Sequence, residues 1–240
     1  MKTVETKNLS KIYGNIQAVC DFSFSAKKGE IIALLGPNGA GKSTLMNMIT
    51  GFLSPSSGEI LINGTSIFSS PLEAKKAIGY LPEGSPLYPD ISVRTFLKYM
   101  ADLRGVKKEG LQKAIKAAHI ENVLHQKIEN LSKGYTRRVG FAQSILSDPE
   151  ILLLDEPTDG LDPNQKEHMQ ELISQMGQNK TIIISTHLLD EAEAICSRIL
   201  IINKGRLMVD GSLKQILEQT KSKSLASAFK KLTSDKGEQL

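Results

Sequence analysis

The chain has 240 residues, 40% of them apolar and 23% charged, which suits one folded α/β domain and excludes a disordered or collagen-like chain. The formal charge of +4 is small, and the basic residues fall in scattered pairs such as Lys75-Lys76 and Arg137-Arg138, so composition alone makes a weak case for nucleic acid as a partner and leaves phosphate ligands open. No apolar run nears the roughly 18 residues of a membrane-spanning helix, and the start lacks the apolar stretch of a signal peptide.

Strand-like patterns come first. Val4–Leu9 alternates loosely and Ala18–Ser25 more clearly. Cys20 and Cys196 lie far apart with no CxxC, and read as buried small hydrophobes of a reducing compartment, so a soluble cytoplasmic protein is expected. Lys28-Gly29 marks a turn before Glu30–Leu35, a short apolar run that ends at glycine as a buried central strand does. Ser43–Thr50 carries Leu45, Met48 and Ile49 at helical spacing, with Gly51 placed to cap its C-terminus. After a loop at 54–58, Glu59–Ile62 and Thr65–Phe68 flank Asn63-Gly64, a strong hairpin signal.

The period changes near Pro86. Val93, Phe96, Leu97, Met100 and Leu103 share one helical face, with Ser92 as N-cap and Gly105 as the stop. Further helices are predicted over Gly110–Ala118 and from Leu131 to about Ser147, which makes 86–147 a helical subdomain inserted between strands. Ile151–Leu154, a helix near Pro163–Met176, and Thr181–Ser185 follow, an alternation that implies a mostly parallel sheet. Leu200–Asn203 and Arg206–Val209 form a late hairpin around Lys204-Gly205, and from Ser212 the tail is helical, with Leu225, Ala228, Phe229 and Leu232 on one face.

Three segments carry chemistry. Gly36-Pro37-Asn38-Gly39-Ala40-Gly41-Lys42-Ser43-Thr44 matches the phosphate-loop pattern GxxxxGK[ST], between an apolar strand and an amphipathic helix. Glycines let backbone N–H groups turn toward phosphate oxygens, the helix points its positive end at them, Lys42 reaches the β- and γ-phosphates, and Ser43 is placed to ligand Mg²⁺. Ile151–Leu154 ends in Asp155 and Glu156, which emerge at a strand's C-terminal edge, where α/β sheets bind ligands. Asp155 suits the Mg²⁺ shell and Glu156 suits polarising an attacking water. Leu131-Ser132-Lys133-Gly134-Tyr135 opens a helix, and taken alone Ser132 fits an ordinary N-cap as well as an anion site.

With these motifs in this order, the chain resembles the ATP-binding cassette ATPases, the nucleotide-binding subunits of ABC transporters, over about residues 2–233. The resemblance implies an α/β fold of phosphate-loop NTPase type: a mostly parallel sheet, an N-terminal antiparallel β subdomain and the inserted helical subdomain. The expected layout is a nucleotide-binding core with its β subdomain (1–85), the helical subdomain (86–147), the rest of the core (148–211) and a helical tail (212–240). It also assigns Tyr13 to stack on adenine, Glu83 to the Q-loop position, Ser132 and Gly134 to the signature that meets ATP in trans, Asp162 to the D-loop and His187 to the switch histidine. Two departures stand out. Glutamate replaces glutamine at position 83, where it can still ligand Mg²⁺ but brings a charge, and Lys133 and Tyr135 replace the signature's glycine and glutamine.

The resemblance further implies ATP and Mg²⁺ as cofactors, a homo- or heterodimer closing around two ATP molecules, and separate membrane permease subunits, with no nucleic acid. The protein would then sit peripherally on the inner face of the cell membrane. Tyr80-Leu81-Pro82-Glu83, the Leu-Ser-Lys-Gly-Tyr signature and the short tail look like the ABC-2 type exporters. The alternatives are an importer subunit and a soluble cassette ATPase acting on ribosomes or DNA.

Overall fold

Residues 31–35 and 151–155 are buried at every position, which only strands covered on both faces can satisfy. The computed structural model, which describes residues 2–234, places both inside one sheet, each with a strand on either side. Before it, β1 (Lys2–Tyr13) and β2 (Ile16–Lys27) form a long antiparallel pair. They extend beyond the clearly alternating residues because several irregularities in register let pairing continue through polar stretches.

The strand β3 (Ile31–Leu35) leads into α1 (Lys42–Ile49), which ends at Gly51 with φ 69°, as a glycine C-cap should. Next come β4 (Ser57–Ile62) and β5 (Thr65–Ser66), joined by Asn63 and Gly64 at φ 49° and 82°, the two left-handed residues of a tight hairpin turn. The second strand of this hairpin is shorter than the sequence suggests. Only Thr65 and Ser66 pair, and Phe68 is 38% exposed, because the chain turns there into α2 (Pro71–Lys76), a helix the sequence reading did not anticipate. The four-stranded sheet has the order β2-β1-β4-β5.

β6 (Ile78–Leu81) precedes α3 (Val93–Leu103), α4 (Lys108–Ala117) and α5 (Lys133–Ile145). The expected caps are in place: Ser92 Oγ accepts from the Thr95 N–H at 3.2 Å, and Gly105 stops the helix at φ 64°. Then follow β7 (Ile151–Asp155), α6 (Pro163–Gly177), β8 (Thr181–Thr186), the unanticipated α7 (Leu189–Ile195), β9 (Arg198–Asn203) and β10 (Arg206–Gly211). α8 (Leu213–Thr220) and α9 (Leu225–Thr233) complete the described residues, so the end of the predicted tail, 235–240, lies outside them.

The six-stranded sheet runs β10-β9-β3-β8-β7-β6, parallel except for β10. Alternate residues face opposite layers. Ile32, Leu34 and Leu153 pack with α1 and the N-terminal sheet, whereas Leu152, Leu154 and Ile184 pack with Phe96, Phe141 and Met169 of the helices. Ala33, Leu35 and Ile199 form a third cluster with Leu225 and Ala228, so the predicted apolar face of the tail docks on the sheet. Both cysteines are free, as expected, but only half-buried where the sequence predicts full burial. Cys20 lies on β2, its N–H donating to the Gly205 carbonyl at 2.9 Å, and Cys196 sits at the end of α7 against two of the clusters.

Register decides what meets at the sheet's C-terminal edge. Leu35 stands opposite Thr186, and Asp155 opposite Ser185. The segments beginning at Gly36, Glu156 and His187 therefore leave adjacent strands on the same edge.

Candidate functional site

At that edge a cavity of about 430 Å³ opens between the loop 36–44 and the ends of β6, β7 and β8. Asn38, Gly39, Gly41 and Thr44 line it on the loop side, with Ala18 of β2 behind them. Gly41 has φ 104°, and a Cβ there would run into the Ala18 carbonyl, so only glycine fits. This close approach lets α1 begin at Lys42, so that Lys42, Ser43 and Thr44 of its first turn line the cavity, where helix N–H groups without intrahelical partners favour an anion.

Lys42 is nearly buried, and its Nζ donates to the carbonyls of Gly36 at 2.6 Å and Pro37 at 3.2 Å. Burial holds its pKa below the ordinary lysine value, against the opposing pull of Glu156, Asp155 and Glu83. Asp155 is buried at the end of β7, and desolvation raises its carboxyl, helped by Glu83 and Glu156, while the Ser185 and Ser43 hydroxyls pull the other way.

Glu156 is held in a strained backbone conformation. Its φ is 51°, a left-handed value that a side chain of this kind rarely adopts, and its N–H donates to the Ser185 carbonyl at 2.8 Å. Its Oε1 lies 2.9 Å from Nδ1 of His187, and its Oε2 accepts from Thr186 Oγ1 at 3.4 Å. The carboxylate is thereby anchored by two residues of the neighbouring strand end while it faces the cavity.

Ser43, Glu83 and Asp155 line the same cavity and are hard oxygen donors, the kind that Mg²⁺ takes. Among the described residues no group of three or more His, Cys, Asp or Glu could hold a metal unaided. That donor set fits a cation that keeps water and phosphate ligands, and it does not fit a closed protein cage.

The remaining expected residues lie elsewhere. Ser132 is the N-cap of α5, its Oγ accepting from the Tyr135 N–H at 3.3 Å, so the ordinary cap is realised. Gly134 is buried against the chain's own α6 region, where an added Cβ would come within 2.6 Å of Gln165 Oε1. Neither lines the cavity. Lys133 Nζ lies 2.8 Å from Asp159 Oδ2, which ties the signature segment to an acid that does line it. Asp162 caps α6, its Oδ1 accepting from the Gln165 N–H at 2.9 Å. Tyr13 is 47% exposed and borders a second cavity with Asn47, Phe52 and Tyr80, separate from the lining of the first, with the Lys11 ammonium 5.1 Å from its ring centroid.

Sequence reasoning missed Asp159, Arg137 and Glu191. Asp159 could have been found, since it falls in the acid-rich run 155–162. Glu191 is fully buried on α7, accepting from Thr158 Oγ1 at 3.0 Å, and a buried acid has no local signature.

The model of the ABC transporter family matches residues 19–159, more than half of the chain. The Nod factor export ATP-binding protein I of Burkholderia orbicola is 36% identical over 220 residues, spanning 90% of this chain and 72% of that protein. A solved ATP-binding subunit of an ABC transporter superposes with a TM-score of 0.90 at 30% identity, covering 97% of this chain and 100% of that one. The dimeric structure of a bacterial ABC transporter cassette superposes with a TM-score of 0.81 at 26% identity, covering 88% and 98%. The glycine-lined cavity, the buried Asp155, the anchored Glu156 and this match together place the chain in the ABC transporter family, as an ATP-binding cassette that hydrolyses ATP in the service of transport.

Proposed function

We propose that the chain is the ATPase subunit of an ABC-2 type exporter, working as a dimer of cassettes bound to separate permease subunits at the inner face of the cell membrane. The loop 36–44 and Lys42 hold the phosphates, and Tyr13 meets the base. Ser43, Glu83 and Asp155 would hold Mg²⁺, whose charge would offset that of the phosphates. Glu156 orients and polarises the attacking water, and His187 fixes the carboxylate that does so. Ser132 and Gly134 of the partner subunit close over the nucleotide, with Asp162 at the junction. Residues 86–147 form the subdomain that moves on closure, and the stretch Glu83–Arg94 at its start meets the permease.

The observation that carries this reading is the separation of the two halves of the site. Ser132 and Gly134 open α5 outside the cavity that Lys42 and Glu156 line, so a single chain leaves the nucleotide uncovered and a second copy would complete it. The exporter class rests on the similarity to a Nod factor export protein and on the residues around Glu83.

Glu156→Gln protein, expected to keep ATP affinity while turnover falls, tests the dimer by light scattering. A doubling of mass with Mg-ATP supports closure, and a monomer at saturating nucleotide counts against it. Affinity purification from solubilised membranes tests the transporter reading, since a transporter subunit brings down a multi-span permease and a soluble cassette ATPase does not.

A further inference from the structure

Arg137 is only 6% exposed on α5, a position where a guanidinium is destabilising unless something offsets it. Its Nη1 donates to two carbonyls of the segment after β6, Pro82 at 2.6 Å and Glu83 at 3.1 Å. Its Nε and Nη2 are buried with no hydrogen-bond partner among the described residues. Two bonds to neutral carbonyls leave most of that charge unanswered.

The answer lies in the acids around it. Burial weighs against the cationic form of Arg137, and Asp155 favours it most, followed by Asp159, Glu156 and Glu83, all four of which line the phosphate cavity. On the cavity side Lys42 bears on three of them, and Lys133 is taken up by Asp159. A cavity lined by four carboxylates repels a polyphosphate unless cations stand close by. Glutamate at 83, where an amide would be neutral, makes that repulsion worse.

We propose that Arg137 is a positioning residue that also acts electrostatically, strapping α5 to the 82–83 backbone beside Glu83 and supplying buried counter-charge to the carboxylates of the phosphate cavity. It does not line the cavity and acts through the acids that do. This inference rests on the reading of the cavity as the ATP site.

The competing account is a plain strut, in which only the two carbonyl bonds matter. Affinity for ATP in the absence of divalent metal separates the two, measured by equilibrium dialysis of radiolabelled ATP in EDTA. Arg137→Gln keeps an N–H donor for the carbonyls and removes the charge, so affinity is expected to fall roughly ten-fold. Arg137→Lys, which keeps the charge, stays within about three-fold of wild type. Glu83→Gln by itself tightens binding several-fold, and adding it to Arg137→Gln recovers most of the loss. The proposal is overturned if Arg137→Gln binds like wild type, or if Glu83→Gln neither tightens binding alone nor rescues. Where Arg137→Gln does not fold, Arg137→Lys decides, because it keeps the charge while disturbing the paired carbonyl bonds: a ten-fold loss in that variant overturns the electrostatic role. Wild-type protein that fails to bind ATP overturns the site itself, a result distinct from binding that is indifferent to position 137.

Discussion

Glu156 Oε1 lies 2.9 Å from His187 Nδ1, and the backbone that presents this carboxylate is held at φ 51°. Strain of that kind persists only where the surroundings fix it, here through the Ser185 carbonyl, the Thr186 hydroxyl and the His187 ring. Glu156→Gln keeps the shape and removes the base, so Mg-ATP hydrolysis should fall by about 10²–10³-fold with ATP affinity retained. His187→Ala frees one carboxylate oxygen and should cost less, on the order of ten-fold. Steady-state phosphate release checks both, and wild-type rates in Glu156→Gln would remove Glu156 from the chemistry.

Lys42→Ala removes charge-assisted contacts to the phosphates and should weaken ATP binding by about 100-fold or more. Folding should suffer little. The lysine's hydrogen bonds within the chain go to two loop carbonyls, and its charge is disfavoured by burial. Thermal unfolding within about 3 °C of wild type, together with lost nucleotide binding, is the expected pair of results. A collapsed fold would show that the loop depends on its lysine for structure.

At position 83 the contrast between two substitutions is informative. Glu83→Gln keeps an oxygen for the metal and should alter Mg-ATP turnover only moderately. Glu83→Ala removes the ligand and should reduce kcat far more than ATP affinity, by about ten-fold or more. If alanine matches wild type in both, Glu83 lies outside the working site despite lining the cavity.

Glu191 gives a pH-dependent prediction. It is fully buried, its Oε2 has no partner among the described residues, and burial raises its pKa above the usual glutamate value, with a smaller push from Glu156. Hydrogen bonds from Thr186 and Thr158 and the charge of Lys166 oppose this rise without cancelling it. Between the unfolded and folded values the native chain thus keeps a proton that the unfolded chain releases. Stability is then full below the unfolded value and declines as pH rises toward the folded one. Glu191→Gln has no proton to lose and keeps an acceptor for Thr158. It should therefore unfold about 2–4 °C higher than wild type at pH 8, corresponding to about 1 kcal/mol, with the gap narrowing at pH 5. Calorimetry at the two pH values decides it, and a gap that does not change with pH would mean Glu191 stays in one protonation state.

What was legible in the sequence was what short stretches of chain settle alone. The phosphate loop is such a case, because left-handed glycines and a lysine at the helix start are fixed by local backbone geometry. The turns at Asn63-Gly64 and Lys204-Gly205 and the caps at Ser92 and Ser132 are of the same kind. The shortened β5 and the half-buried cysteines were not legible, since pairing and burial depend on what packs alongside. Nor was the buried position of Arg137, which donates to carbonyls 55 and 54 residues away in the chain. The site itself belongs to tertiary structure. Loop, acids and histidine converge only because β3, β8 and β7 are neighbours in register, Leu35 beside Thr186 and Asp155 beside Ser185, and strand order is chosen by the packing of helices on both faces of the sheet, which no local propensity encodes.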